Sequence, residues 1–280
     1  MVFSIAAIVV AALALLTLFI MVRNAFRYEL DDQTIPSPRL PKAFDGTRLM
    51  FISDLHARLI PDKVIRTCKE QGKIDLVLIG GDLREKGVPL ERSRQNILKL
   101  QEIAPVYMVY GNHDYDEDIR ELDVMLREEG VRLLVNESIV LEQSGGTKIR
   151  LAGVDDPRTK RENVQLALSG YEEEAGLFTL LLAHDPIIMH RLRAGEREKI
   201  DCILSGHTHG GQIVFPYIGP LVTSPNIRTY MSGWYGERKQ QKAGASTPRM
   251  FVSSGFGTSK FPLRFGAPAR YHIMTLRSLP

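Results

Sequence analysis

Residues 48–56 read RLMFISDLH: four apolar residues, Leu49–Ile52, running through Ser53 into an aspartate and a histidine. The same grammar recurs along the chain. Residues 74–82 read IDLVLIGGD, residues 106–114 VYMVYGNHD, residues 177–185 LFTLLLAHD, with Leu177 as the first, and residues 200–209 IDCILSGHTH. Each apolar run is short enough for a buried strand and each stops where metal-binding residue types begin. In layered α/β folds the carboxyl ends of strands are where ligand sites lie, so five such ends are expected to converge. Any one of them reads equally well as a turn or a helix cap; five in succession do not.

Between these runs the pattern turns helical. Pro61–Gln71 carries Val64, Ile65 and Cys68 at helical spacing, Leu90–Gln101 is a second helix and Asp116–Glu129 a charged third. Ile139–Glu142 and Lys148–Ala152 flank Ser144-Gly145-Gly146 and read as a hairpin. Strands alternating with helices predict an α/β protein. Phe215–Trp234, with Tyr217, Ile218, Leu221, Tyr230 and Trp234 among prolines, is too broken for a helix. It fits core packing, a pocket-lining loop or a membrane-interface loop. The polar stretch Glu237–Pro248 is expected to be an exposed loop.

The beginning is different. Phe3–Val22 reads FSIAAIVVAALALLTLFIMV without a charge, matching the roughly 20 residues that span a bilayer as a helix. A cleaved secretory signal would have a basic start, a shorter apolar run and a small-residue cleavage site, none of which is seen. A transmembrane anchor over residues 1–23 is therefore expected. A polar linker follows over 24–46, broken by Pro36, Pro38 and Pro41, and one domain over 47–280. Arg23, Arg27, Arg39 and Lys42 follow the span and no basic residue precedes it, which by the positive-inside rule puts the domain in the cytoplasm. Of 280 residues 44% are apolar and 25% charged, which excludes a mainly disordered or polytopic membrane chain. The net charge of +3 is too mild to argue for nucleic acid. Cys68 and Cys202 cannot build a disulfide framework and read as buried thiols.

The strand ends supply Asp54, His56, Asp82, Asn112, His113, His184, His207 and His209. Five of the seven histidines are in this set; His190 and His272 are left as structural or surface residues. Carboxylate and amide oxygens mixed with imidazole suit manganese, iron or zinc, with manganese favoured, and the absence of cysteine excludes a structural zinc cluster. Two such ions roughly 3.5–4 Å apart would clamp a phosphoryl group and make hydroxide from a bound water.

The ordered set Asp54-x-His56, Gly81-Asp82, Gly111-Asn112-His113-Asp114, His184 and Gly206-His207-x-His209 resembles the calcineurin-like metallophosphoesterases. Gly153-Val154-Asp155-Asp156-Pro157, Gly210-Gly211-Gln212, Gly255–Ser259 and Pro262-Leu263-Arg264-Phe265 resemble a membrane-linked bacterial branch. That branch includes enzymes like UDP-diacylglucosamine pyrophosphatase and like phosphodiesterases. The resemblance implies a four-layer α/β/β/α sandwich. It implies Asp54, His56 and His209 on one ion, Asn112, His184 and His207 on the other, and Asp82 between them. His113 is then the catalytic histidine that binds no metal, with Asp114 either its orienting partner or a cap, and Glu85 stands where the family often has an acidic residue. Arg58 and Asp155 are candidate substrate contacts; a surface ion pair and a simple turn are their alternatives. The expected activity is hydrolysis of phosphodiester or pyrophosphate bonds, with a lipid-linked phosphate among the candidate substrates. A phosphomonoesterase is the alternative, and after it a non-catalytic membrane scaffold, which would be expected to have lost ligands.

Overall fold

The computed structural model describes residues 2–170, 176–236 and 248–279, so nearly all of the expected polar loop at 237–248 lies outside the described residues. A long helix, α1 (Val2–Phe26), comes first. It is followed in chain order by β1 (Glu29–Ser37), β2 (Arg48–Ile52), α2 (Asp62–Glu70), β3 (Leu76–Ile79), α3 (Leu90–Gln101), β4 (Val106–Met108), α4 (Ile119–Glu128) and β5 (Arg132–Leu133). Then come β6 (Glu137–Glu142), β7 (Lys148–Gly153), α5 (Val164–Ala167), β8 (Thr179–Leu182), α6 (Ile188–Arg191), α7 (Ala194–Arg197) and β9 (Cys202–Ser205). The chain closes with β10 (Val214–Phe215), β11 (Gly219–Pro220), α8 (Pro225–Thr229), β12 (Gly233–Tyr235), β13 (Arg249–Val252) and β14 (Arg270–Ser278).

Two six-stranded sheets form, in the orders β1-β14-β2-β3-β4-β5 and β12-β13-β9-β8-β7-β6. Strand side chains alternate between faces, and β2 shows what this does. Leu49 and Phe51 enter an inner core shared with Leu151, Leu180, Leu204 and Phe251 of the second sheet. Met50 and Ile52 enter an outer core with Val64 and Cys68 of α2, Ile97 and Leu100 of α3, and Leu122 and Met125 of α4. A third core lies between the second sheet and Val164, Ile188 and Met189 of α5 and α6. The result is the expected four-layer α/β/β/α sandwich. The β6–β7 pair is the expected antiparallel hairpin, with Gly145 and Gly146 taking positive φ in its turn. Cys68 and Cys202 are buried and free.

The linker expected over 24–46 is a correction. Glu29–Ser37 of that stretch is β1, hydrogen-bonded in parallel along the whole of β14. Pro36 is tolerated because β1 is an edge strand, paired on one side only. Its acidic residues also have a use inside the sheet: Asp31 Oδ2 lies 2.9 Å from Nδ1 of the buried His272. The broken stretch 215–234 divides in two. Trp234 is in β12 and packs on Phe251 at 5.1 Å between ring centroids, whereas Tyr217, Ile218 and Leu221 are exposed.

The end of α1 is bonded to the sandwich. Met21 and Ala25 are buried, and the Met21 carbonyl accepts from the Arg264 N–H at 3.0 Å. The Ala25, Phe26 and Arg27 carbonyls all accept from the Arg58 guanidinium. The helix C-terminus leaves such carbonyls without partners and carries partial negative charge, so a cation there is stabilising.

Candidate metal centre

Six of the seven expected metal ligands come together where the parallel strands of the two sheets end; the seventh, Asn112, lies between Gly111 and His113, both of which meet Asp82. The backbone there is unusual. Asp54, His56, Asp82, His207 and His209 have φ of 56°, 51°, 52°, 71° and 51°, a region that non-glycine residues seldom occupy. Strain at a run of functional side chains turns each one off its strand axis and into the common site. Neighbouring glycines make room. A Cβ on Gly111 would lie 2.2 Å from Asp82 Oδ1, and one on Gly206 would lie 2.4 Å from Asp54 Oδ2.

Two clusters result. Asp54, His56 and His209 each bring one ligand atom within 4.8 Å of the others, and so do Asp82, His184 and His207. In the first, His56 Nε2 and His209 Nε2 face each other at 3.0 Å, and His209 Nε2 is 3.4 Å from Asp54 Oδ1. In the second, His184 Nε2 is 3.1 Å from Asp82 Oδ2. The same Asp82 oxygen is 3.8 Å from His56 Nε2, so one carboxylate atom stands between the clusters. Asn112 Oδ1 is buried without a hydrogen-bond partner among the described residues. Orphaned polar atoms carry a large desolvation cost, which a divalent cation would remove. The donor set therefore fits two ions of oxygen-and-imidazole preference.

The groups behind the ligands set their orientation. His184 Nδ1 lies 2.8 Å from the Gly80 carbonyl, which keeps its proton there and turns Nε2 toward Asp82. Glu85 Oε2 lies 3.2 Å from His56 Nδ1, so Glu85 serves His56 and not His113. Asp114 does not orient His113 either. Its carboxylate accepts from the backbone N–H groups of Asp82, Arg84 and Gly111, tying two ligand loops together. The orienting partner of His113 is Asp116, 2.6 Å from Nδ1. Arg264 is fully buried and donates to the Ser254, Gly257 and Ala267 carbonyls around the loop that carries His209.

Protonation follows charge. Burial, the His184 charge and the His56 charge act on Asp82, and the two histidines overcome burial to hold its carboxyl below the usual range. Burial acts against a charged His184, but Asp82 outweighs it and raises His184 well above 6.5. His56 is raised in the same way by Glu85 and Asp82. Burial and the nearby His184 take His207 down to about 3, and burial with His56 takes His209 well below 6.5.

Two expected substrate contacts are engaged by other partners. Arg58 is corrected: its guanidinium caps α1, donates to the Phe256 carbonyl at 2.7 Å and lies over the Phe256 ring at 4.5 Å. Asp155 is buried and accepts from the Tyr115 hydroxyl at 2.6 Å and from the Asp156 N–H at 2.7 Å, which occupies it as a turn residue. An exposed cation that does reach the site is Arg158, with Nη1 3.0 Å from His207 Nε2. Asp185, the residue after His184, has Oδ2 3.3 Å from His207 Nε2. Arg158 follows the Asp-Asp-Pro turn directly, and that adjacency is the only signal of it in the sequence.

Residues 47–211 match the model of the calcineurin-like phosphoesterase family. The chain is 36% identical over 248 residues to the uncharacterized protein YpbG of Bacillus subtilis (strain 168), covering 88% of this chain and 87% of that one. It is 28% identical over 265 residues to a transmembrane protein with metallophosphoesterase domain from Bos taurus, covering 88% of this chain and 56% of that one. Among solved structures, the NAD nucleotidase of Haemophilus influenzae matches with a TM-score of 0.52 at 14% identity, over 76% of this chain and 46% of that one. That last likeness is one of fold. The chain belongs to the calcineurin-like phosphoesterase family, whose members are metal-dependent phosphoesterases.

Proposed function

We propose that the protein hydrolyses phosphodiester or pyrophosphate bonds at a two-ion centre, held at a membrane by α1. The observation that carries this reading is the position of Asp82 Oδ2, shared between His56 and His184. In this reading Asp54, His56 and His209 hold one ion, Asn112, His184 and His207 the other, and Asp82 both, with manganese the favoured metal. A pair of ions in this donor set supplies positive charge to phosphoryl oxygens and lowers the pKa of water at the site.

The chain's own residues do the rest. His113 is the most exposed of the site histidines, and Asp116 engages its Nδ1, which leaves Nε2 to protonate the leaving oxygen. Arg158 is placed to neutralise a phosphate oxygen on the side of His207. Arg23 and Arg27 are exposed just past the apolar run and support a cytoplasmic domain. The anchor favours a phosphate carried on a lipid, since such a substrate is confined to the surface where α1 holds the enzyme.

The test is turnover by the full chain in detergent micelles with manganese. Bis-p-nitrophenyl phosphate should be cleaved faster than p-nitrophenyl phosphate. Monoester preference would replace this reading with a phosphatase, and silence on both with two ions bound would leave a scaffold.

A further inference from the structure

Outside α1, five large apolar side chains among the described residues are more than 60% exposed: Tyr217 (109%), Ile218 (83%), Val222 (69%), Phe261 (67%) and Leu221 (63%). The other exposed ones, Leu59, Leu98, Val124 and Leu166, are separate in sequence and lie between 41% and 55%. Single exposed apolar residues are ordinary, but a cluster of this kind marks an interaction surface. The five come from just two segments, and those segments are bonded to one another. Val214 N–H donates to the Phe265 carbonyl at 2.7 Å, and the Phe215 and Phe265 rings lie 5.1 Å apart. Gln212 donates to the Ser259 and Phe261 carbonyls and accepts from the Ser259 N–H at 2.9 Å.

What covers this surface follows from where α1 meets it. The apolar run of α1 ends at Val22, and the Arg264 N–H is bonded to the carbonyl of Met21, one residue inside that end. A helix rises about 1.5 Å per residue, so the backbone of Arg264 lies at the depth where the apolar span gives way to water. Phe261 is three residues from Arg264. Lys260, next to it in sequence, is exposed, and so are Arg23 and Arg27, just past the Met21 that bonds Arg264; such charge is what anionic headgroups attract. We propose, on the reading of α1 as a membrane span, that Tyr217, Ile218, Leu221, Val222 and Phe261 form a second membrane contact, seated in the boundary between headgroups and acyl chains. Aromatic and aliphatic side chains on a short hairpin next to basic residues are suited to that layer. The hairpin β10–β11 starts five residues after His209, so the contact also fixes the metal centre close to the bilayer surface. A phosphate at headgroup depth is then within the reach of the site without leaving the membrane.

The test uses the full chain in phosphatidylcholine vesicles doped with lipid that carries a nitroxide high on its acyl chain. A fluorophore is attached to single introduced cysteines in the variants Ile218→Cys, Phe261→Cys, Val124→Cys and Phe19→Cys; the native Cys68 and Cys202 are buried. The probes at 218 and 261 should be quenched several-fold more than the one at 124, and comparably to the one at 19. If 19 is quenched while 218 and 261 match 124, the second contact is wrong and the anchor stands. If 19 matches 124 as well, the anchor and the contact fall together. None of these readings depends on turnover, so the hydrolase assignment is tested separately.

Discussion

Asp82 is the residue on which the site turns, since without its carboxylate two histidine clusters would stand apart. The distances around it also separate the roles of its neighbours. Substituting His113→Asn should leave ion content unchanged and lower kcat on a diester by about 10²–10⁴, the usual worth of a positioned acid. Arg158→Ala should instead raise KM, by roughly tenfold for one lost charged hydrogen bond, with ion content again unchanged. Steady-state kinetics with metal analysis separates the two; loss of metal in either variant would contradict the assignments. The raised His56 and His184 predict a second effect. Both hold a proton more readily than a free imidazole when no ion is present, and an ion must displace it. Manganese affinity should therefore rise with pH and binding should release protons, seen as a buffer-dependent heat in calorimetry. A heat independent of buffer ionisation would contradict it. At this scale the expected ligands are legible because each comes within a few residues of the end of an apolar run, as Asp54 and His56 come just after Leu49–Ile52. The contacts of Arg58 are not legible for the opposite reason: its partners, the carbonyls of Ala25 to Arg27, lie some thirty residues away and carry no side-chain signature.

At the level of elements, strand ends and loops divide the work. The central strands β2, β3, β8 and β9 are buried, and among the described residues the positive φ of non-glycine residues falls in the loops between strands. Hairpin β6–β7 and helices α2 and α3 were readable from local periodicity. β1 was not, because an edge strand with Asp31, Asp32 and Pro36 satisfies neither the apolar nor the alternating pattern; its place is set by β14 more than two hundred residues later. The join between α1 and the sandwich gives a prediction at this scale. Arg58→Ala removes a guanidinium from four carbonyls and two aromatic rings. It should lower stability by about 2 kcal/mol, a modest net value for hydrogen bonds to a charged group, and leave KM for a soluble diester unchanged. Thermal unfolding in detergent and kinetics check both halves; a raised KM with unchanged stability would return Arg58 to the substrate.

For the whole molecule, the inner core sets the function as much as the fold. Phe51, Leu78 and Leu204 lock one sheet face against the other, and only that packing brings the loop after β2 to the loop after β9, where His56 meets His209. No local motif encodes that meeting; the ordered succession of strand ends does, because parallel strands in two facing sheets must deliver their ends to one side. In the proposed reading two ions, joined through Asp82, carry out phosphoester hydrolysis. The most direct measurement is a titration of the metal-free full chain with manganese, following bound ions and diester turnover together, beside Asp82→Ala. Turnover should appear with the second ion, saturate at two per chain, and be lost by at least about 100-fold with weakened binding in the variant. Full turnover with one ion or none, or an Asp82→Ala protein as active as the parent, would contradict a two-ion centre joined through Asp82.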